Sequence, residues 1–149
     1  MDSGAEADYD PPAVVRSLPS WLLGQAARRA HDLVSEALAP EGMRRQHFIV
    51  LASLAEHGSA SQADLGRRLW LDRSDLHAIV STLEEAGLIQ RTGDPADQRR
   101  KVVTITARGK HTLSRLHDRI QSAQDQILIP LDPPEREQLV ALLARIVPN

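Results

Sequence analysis

The spacing of apolar positions changes several times along the chain, and each change marks a different element. From about Leu18 to Ala39, Leu and Ala recur at helical spacing after Pro19-Ser20 and stop before Pro40 and Gly42, the start and stop signals of a helix. A second helix is predicted over Arg45–Glu56, with Phe48, Leu51, Ala52 and Ala55 on one stripe and Gly58 closing it. Ser61–Leu69 and Asp72–Ala86 follow as two helices joined by a very short turn. In the second of these, Leu76, Ile79, Val80 and Leu83 repeat at i, i+3, i+4 and i+7. Asp72 and Asp75 have the spacing of a capping pair, and Gly87 ends the helix. With that stripe buried, Arg73, Ser74, His77, Ala78 and Ser81 lie on the opposite face, which is compact and polar where an idle solvated helix more often carries several Lys and Glu.

After Gly87 the period shortens. Leu88–Thr92 reads as a short strand, Gly93–Arg100 holds turn residues, and Val102–Thr106 alternates with Val103 and Ile105 facing together, so the segment is predicted to be a hairpin with a long polar tip. Thr106 to about Ile129 then returns to helical spacing through Leu113, Leu116, Ile120, Ala123 and Ile127, a seam that needs a partner, and Pro130 ends it. Asp132, Pro133 and Glu135 open a last helix with Leu139, Leu142, Leu143 and Ile146 as its stripe.

Helix, short turn, helix and hairpin is the order of a winged helix-turn-helix, a mainly α fold with a small β wing. The first helix and the two C-terminal helices carry more apolar surface than such a lobe can cover, so they are expected to form a dimerisation lobe through Leu18, Leu22, Ile127, Leu131, Leu139, Leu142, Leu143 and Ile146. Packing within one chain is the alternative. The expected organisation is a disordered acidic tail over 1–16, a first dimerisation helix over 17–42, the DNA-reading lobe over 43–109 and C-terminal dimerisation helices over 110–149. The tail rests on Asp2, Glu6, Asp8, Asp10, Pro11 and Pro12, which bury too little to offset ordering entropy.

A formal net charge of −2 looks wrong for a nucleic-acid binder until the charges are placed. Between Arg44 and Lys110 there are 11 basic residues against 8 acidic ones, and the remainder of the chain has 7 against 12, so the middle is basic and both ends are acidic. No cysteine is present, which excludes disulfides, thiolate metal sites and cysteine redox sensing. Apolar runs such as Phe48–Ala52 fall far short of the ~18 residues of a membrane span. The acidic N-terminus lacks the pattern of a secretory signal, so a cytoplasmic location is expected. The glycine-rich, nucleophile-elbow, phosphate-loop and His-Glu-x-x-His patterns of common enzymes are all missing, and no cofactor is expected. His111 and His117 do not have the i, i+4 spacing of a helical metal pair, and no metal site is assigned.

Two stretches resemble the MarR family of bacterial transcription regulators. Leu71-Asp72-Arg73-Ser74, followed by Leu83-Glu84 and Gly87-Leu88-Ile89, is similar to that family's recognition helix and its exit into the wing. Asp97-x-Arg99, then Val103-x-Ile105-Thr106 and Gly109, is similar to its wing signature. The resemblance implies a homodimer on duplex DNA, with both recognition helices in successive major grooves of a pseudo-palindrome. Arg99 would be the wing arginine in the minor groove, where narrowing concentrates negative potential. Asp97 would brace the wing loop by pairing with a nearby arginine. Arg100 and Lys101 are assigned to backbone phosphate or solvent. Arg73 can offer a bidentate fork to guanine or clamp a phosphate, with Ser74, His77, Ala78 and Ser81 as the other groove-facing residues. Gln62, at the start of the preceding helix, is a phosphate-positioning candidate.

One position departs from the family. The turn between the two helices often has glycine there, and this chain has Trp70, which is unfavourable at positive φ. Either the turn avoids that region or Trp70 packs against the first helix. Many relatives release DNA on binding small aromatic or anionic ligands. Trp21, Gln25 and Arg28 lie along one side of the first helix, with His31 nearby and His47 early in the second, a candidate pocket for a phenolic acid; Trp21 as a dimer anchor is the competing assignment. The alternative to DNA binding is a winged helix used only for protein contacts.

Overall fold

The computed structural model of the chain describes residues 10–148, so the acidic segment before Asp10 lies outside the described residues. Within the segment 1–16 expected to be a tail, residues 13–16 are helical. Pro12 accepts backbone N–H groups from Val15 and Arg16 and starts a single turn, α1 (Ala13–Arg16), which Arg16 ties to Asp10 at 2.8 Å. Next is α2 (Pro19–Leu38), with proline at the position where its missing N–H costs nothing. A 3-10 turn over Ala39–Glu41 closes at Gly42, whose φ of 66° suits a residue without Cβ.

The central lobe contains α3 (Arg45–His57), β1 (Ala60–Ser61), α4 (Gln62–Leu69), α5 (Arg73–Glu85), β2 (Ile89–Gly93) and β3 (Lys101–Ile105). The three strands form one antiparallel sheet in the order β1-β3-β2, with Ile89 opposite Ile105 and Ala60 opposite Val103. The hairpin is as the alternation predicts. β1 is an addition, because two residues are too few to show a period. Two longer helices complete the chain, α6 (Ala107–Ile127) and α7 (Pro133–Ile146). Asp132 and Glu135 cap α7 reciprocally, each side chain accepting the other's backbone N–H at 2.9 Å.

A single core joins Leu38, Val50, Leu51, Leu54, Leu65, Leu76, Val80, Leu83, Ile89, Val103 and Leu116. The α5 stripe of Leu76, Ile79, Val80 and Leu83 is buried as its spacing requires. The α6 seam differs from expectation. Leu116 belongs to this core, Leu113 and Ile120 pack against it, and Ala123 is buried, so α2 and α3 of the same chain supply most of the partner surface. Phe48 of α3 also stacks on His117 of α6 with ring centroids 6.5 Å apart. The unsatisfied apolar surface lies elsewhere: no residue of α7 is buried, Val140 and Ile146 are more than 60% exposed, and Leu18, Leu22 and Leu142 are exposed. Ile127, Leu131, Leu139 and Leu143 are half-buried.

Candidate nucleic-acid interface

The approach to α5 is set by how α4 ends. The Leu71 N–H donates to the Gly66 carbonyl at 3.1 Å, the six-residue bond of a Schellman ending, which requires a left-handed residue between them. Trp70 is that residue, at φ 56° and ψ 38°, and it is the only non-glycine with positive φ among the described residues. Both expectations for Trp70 therefore fail. The turn enters the left-handed region, and the indole is 94% exposed instead of packed on α2. The bond geometry that seats half-buried Leu71 against the core fixes the backbone whatever side chain Trp70 carries.

Asp72 then caps α5. Its Oδ1 accepts the N–H groups of Ser74 at 2.8 Å and Asp75 at 3.0 Å and the Ser74 hydroxyl at 2.8 Å. These donors, the Asp75 N–H foremost, hold its carboxyl down at about 2. Asp75 does not return the bond, and its own carboxyl is raised by the neighbouring Asp72. Along the outer face Arg73, Ser74, His77 and Ala78 are exposed as predicted, whereas Ser81 is half-buried.

Ser81 and Gln62 share a partner that the sequence reading missed. Arg91 of β2 donates to Gln62 Oε1 at 3.1 Å, to Ser81 Oγ at 3.3 Å and to Glu84 Oε1 at 3.1 Å, and the carboxyl of Glu84 is lowered by this guanidinium. Thus Gln62 and Ser81 are joined through Arg91, each by its side-chain oxygen. The available signal was strand parity, since Arg91 is two residues from buried Ile89 and so on the same side of β2.

The wing loop is closed by its own backbone. The N–H of Asp94 donates to the Arg100 carbonyl at 2.8 Å, that of Asp97 to the Asp94 carbonyl at 3.1 Å, and that of Arg100 to the Asp97 carbonyl at 2.9 Å. Asp97 Oδ1 accepts the Arg99 N–H at 3.0 Å, so Asp97 braces the loop through a backbone donor and makes no ion pair with an arginine. The side chain of Arg99 is exposed and has no partner among the described residues. Arg100 behaves differently. Its guanidinium donates to Ser61 Oγ at 2.9 Å and to Asp64 Oδ2 at 2.6 Å, and Arg67 pairs with the other oxygen of Asp64. The Ser61 hydroxyl first, then Arg100 and Arg67, lower the Asp64 carboxyl. Arg100 is a strut between wing and α4, while Lys101 is exposed at the start of β3.

A polar helix face beside a loop that presents an unpaired arginine is suited to the two grooves of a duplex. The sequence pattern that defines the MarR family matches residues 41–100, which hold α4, α5 and most of the wing. Over 148 residues the chain is 31% identical to a putative transcriptional regulatory protein for the hcr operon of Thauera aromatica, covering 96% of this chain and 89% of the relative. The chain belongs to the MarR family. Membership makes it a DNA-binding transcription regulator and not an enzyme. It is also 26% identical over 145 residues to the transcriptional repressor NicR of Pseudomonas putida, covering 97% of this chain and 91% of that protein. The fold is similar to that of a single-residue mutant of Escherichia coli MarR crystallised with operator DNA, with a TM-score of 0.75, 22% identity and coverage of 93% and 100% of the two chains.

The remaining candidates for this MarR-family chain lie at the helical end. Gln25 and Arg28 line a surface cleft with Arg29, Asp32 and Leu33. Trp21 is half-buried one turn earlier on α2, His31 is exposed, and neither lines that cleft. His47 is buried in the first turn of α3, where its Nδ1 accepts the Arg44 N–H at 2.9 Å. Of the five residues named for a ligand pocket, Gln25 and Arg28 share the α2 cleft. Among the described residues no helix is long and apolar enough to cross a membrane.

Proposed function

We propose that this protein is a homodimeric transcriptional repressor that binds a pseudo-palindromic operator, each protomer placing α5 in the major groove and Arg99 in the adjacent minor groove. The observation that carries the reading is the division of labour in the wing. Arg100 is held by Asp64 and Ser61, whereas Arg99 stands free one residue away on a loop fixed by Asp94 and Asp97. Arg73, Ser74, His77 and Ala78 read the major groove, with Arg73 the strongest donor, and Lys101 serves phosphate. Because Gln62 and Ser81 are bound to Arg91, their part is to hold α4, α5 and the wing in register.

The exposed apolar surface supports the two-protomer reading. The exposed stripe of α7 and the exposed leucines of α2 have no cover in one chain, and joining them across a two-fold axis would set the two α5 helices for successive half-sites. Likeness to NicR supports repression as the outcome. An effector reading rests on Arg28 and Arg29 beside Leu33 in the α2 cleft, two cations against one acid, Asp32, which suit a small aromatic carboxylate. A panel of aromatic carboxylates added to the DNA complex tests it, and the reading fails if none weakens binding.

The main test is fluorescence anisotropy with duplex DNA from upstream of the protein's own gene, a scrambled duplex and the Arg99→Ala variant. Specific binding on the order of 10⁻⁸ to 10⁻¹¹ M at physiological salt is expected, weakening steeply as salt rises. Arg99→Ala should weaken binding on the order of tenfold and reduce the salt slope by about 1. Equal, weak binding of both duplexes, unchanged in the variant, would instead favour a protein-contact role or an operator distant from the gene.

A further inference from the structure

Trp70 combines two features that work against the stability of the free protein. It adopts a left-handed conformation, which brings the Cβ of an L-residue too close to the following carbonyl oxygen, and it leaves 94% of its surface in water. A lone exposed apolar side chain is ordinary on a protein surface. Here, however, the Schellman geometry suits glycine or asparagine better, and the largest side chain stands there almost wholly exposed, with no hydrogen-bond partner among the described residues.

Its place in the fold identifies what covers it. In a helix-turn-helix the first helix crosses the nucleic-acid backbone and the second enters the groove by its N-terminus, so the turn between them lies at the lip of the groove. Trp70 is in that turn, three residues before Arg73, the first residue of α5. Around it the last turn of α4 carries Arg67, paired with Asp64, and Arg68, which donates to Ser53 Oγ at 3.4 Å, and the stretch 67–73 has a single acidic residue, Asp72, which is occupied as the cap of α5. The exposed apolar positions suited to a second copy are on α1, α2 and α7, away from this lobe in the chain.

We propose that Trp70 docks on the sugar-phosphate backbone of bound DNA at the edge of the major groove. Its ring covers a deoxyribose, and its indole N–H, which has no protein acceptor among the described residues, donates to a phosphate oxygen. This rests on the DNA-binding reading above. The contact supplies affinity and sets the docking of α5 without reading sequence, because the backbone is the same at every site.

The experiment compares wild type with Trp70→Gly and Trp70→Asn, both compatible with the turn, on the upstream and scrambled duplexes across a salt series. Both variants should lose on the order of 5- to 10-fold in affinity, as for an interface aromatic. The loss should be equal on the two duplexes, and the salt slope should not change, because no charge has been removed. Thermal midpoints should be no lower than wild type, which separates lost contact from misfolding. The difference in emission between wild type and Trp70→Gly isolates Trp70, and DNA should shield that signal from acrylamide. Variants that bind as tightly as wild type, a loss confined to the upstream duplex, or shielding already complete without DNA would each overturn the assignment. If wild type binds neither duplex even at low salt, the wing-and-helix reading of DNA proposed above fails and this inference falls with it. If wild type binds and the variants match it, only the inference falls.

Discussion

The guanidinium of Arg100 donates to the carboxylate of Asp64 at 2.6 Å, joining the end of the wing loop to the first turn of α4 across 36 residues of sequence. Ser61, the N-cap of α4, accepts from Arg100 and donates to the same carboxylate oxygen, so one small network fixes both the start of a helix and the wing.

Asp64→Asn tests that network against simple electrostatics. Removing an acid from a DNA-binding lobe raises its positive potential, which by charge alone strengthens binding. If bracing dominates, binding to the specific duplex should instead weaken by about 3- to 10-fold while non-specific binding holds or rises, a difference in free energy of the size of one good hydrogen-bonded contact. Titration of both duplexes by anisotropy distinguishes the outcomes, and stronger binding to both would show that the strut is dispensable.

Gly109→Ala should be among the more damaging single-methyl changes in the chain. A Cβ there would stand 2.1 Å from the Leu88 carbonyl oxygen and 2.7 Å from Ile105, in the place where Thr106 caps α6 and donates to the Gly87 carbonyl at 2.8 Å. Overpacking against backbone costs about 1–3 kcal/mol or more, and thermal denaturation should show a midpoint several degrees lower. An unchanged midpoint would mean that α6 shifts freely away from β2.

Stability should fall as the pH drops below the ordinary histidine range, and His47 should carry part of the effect. Burial, aided by the charge of Arg44, lowers its folded pKa below 6.5, and its Nδ1 must stay unprotonated to accept the Arg44 N–H. The unfolded chain therefore takes up the proton first. The stabilisation is fully present above pH 6.5 and is lost as pH falls from there through the lower folded pKa. Urea denaturation between pH 7.5 and 5 should show this slope, and His47→Gln, which retains an acceptor, should flatten it.

Ile146→Asp and Leu142→Arg should leave the central lobe folded, since neither residue belongs to its core, yet shift the protein to monomer in sedimentation velocity and weaken operator binding steeply. A dimer that survives both changes would place the subunit interface elsewhere.

The sequence by itself determined the local structure. Period, caps and breakers gave the long helices, the tight turn and the hairpin, because each depends on residues a few positions apart. They also placed Arg73, His77 and Ala78 on the outer face of α5, since burying Leu76, Ile79 and Val80 leaves them no other side. Tertiary structure decided what depends on partners distant in the chain. Arg99 and Arg100 are neighbours of the same type, and only the nearness of Asp64 and Ser61, brought in by α4, makes one a strut and leaves the other free. Gln62 and Ser81 are linked only because Arg91 comes between them from β2. The α6 seam pointed to a second chain, and folding α2 and α3 against it supplied most of the cover from within. Trp70 shows the same limit in the backbone: the packing of Leu71 and the bond to Gly66 impose a left-handed turn on a residue whose own propensity opposes it, and no local pattern records that constraint.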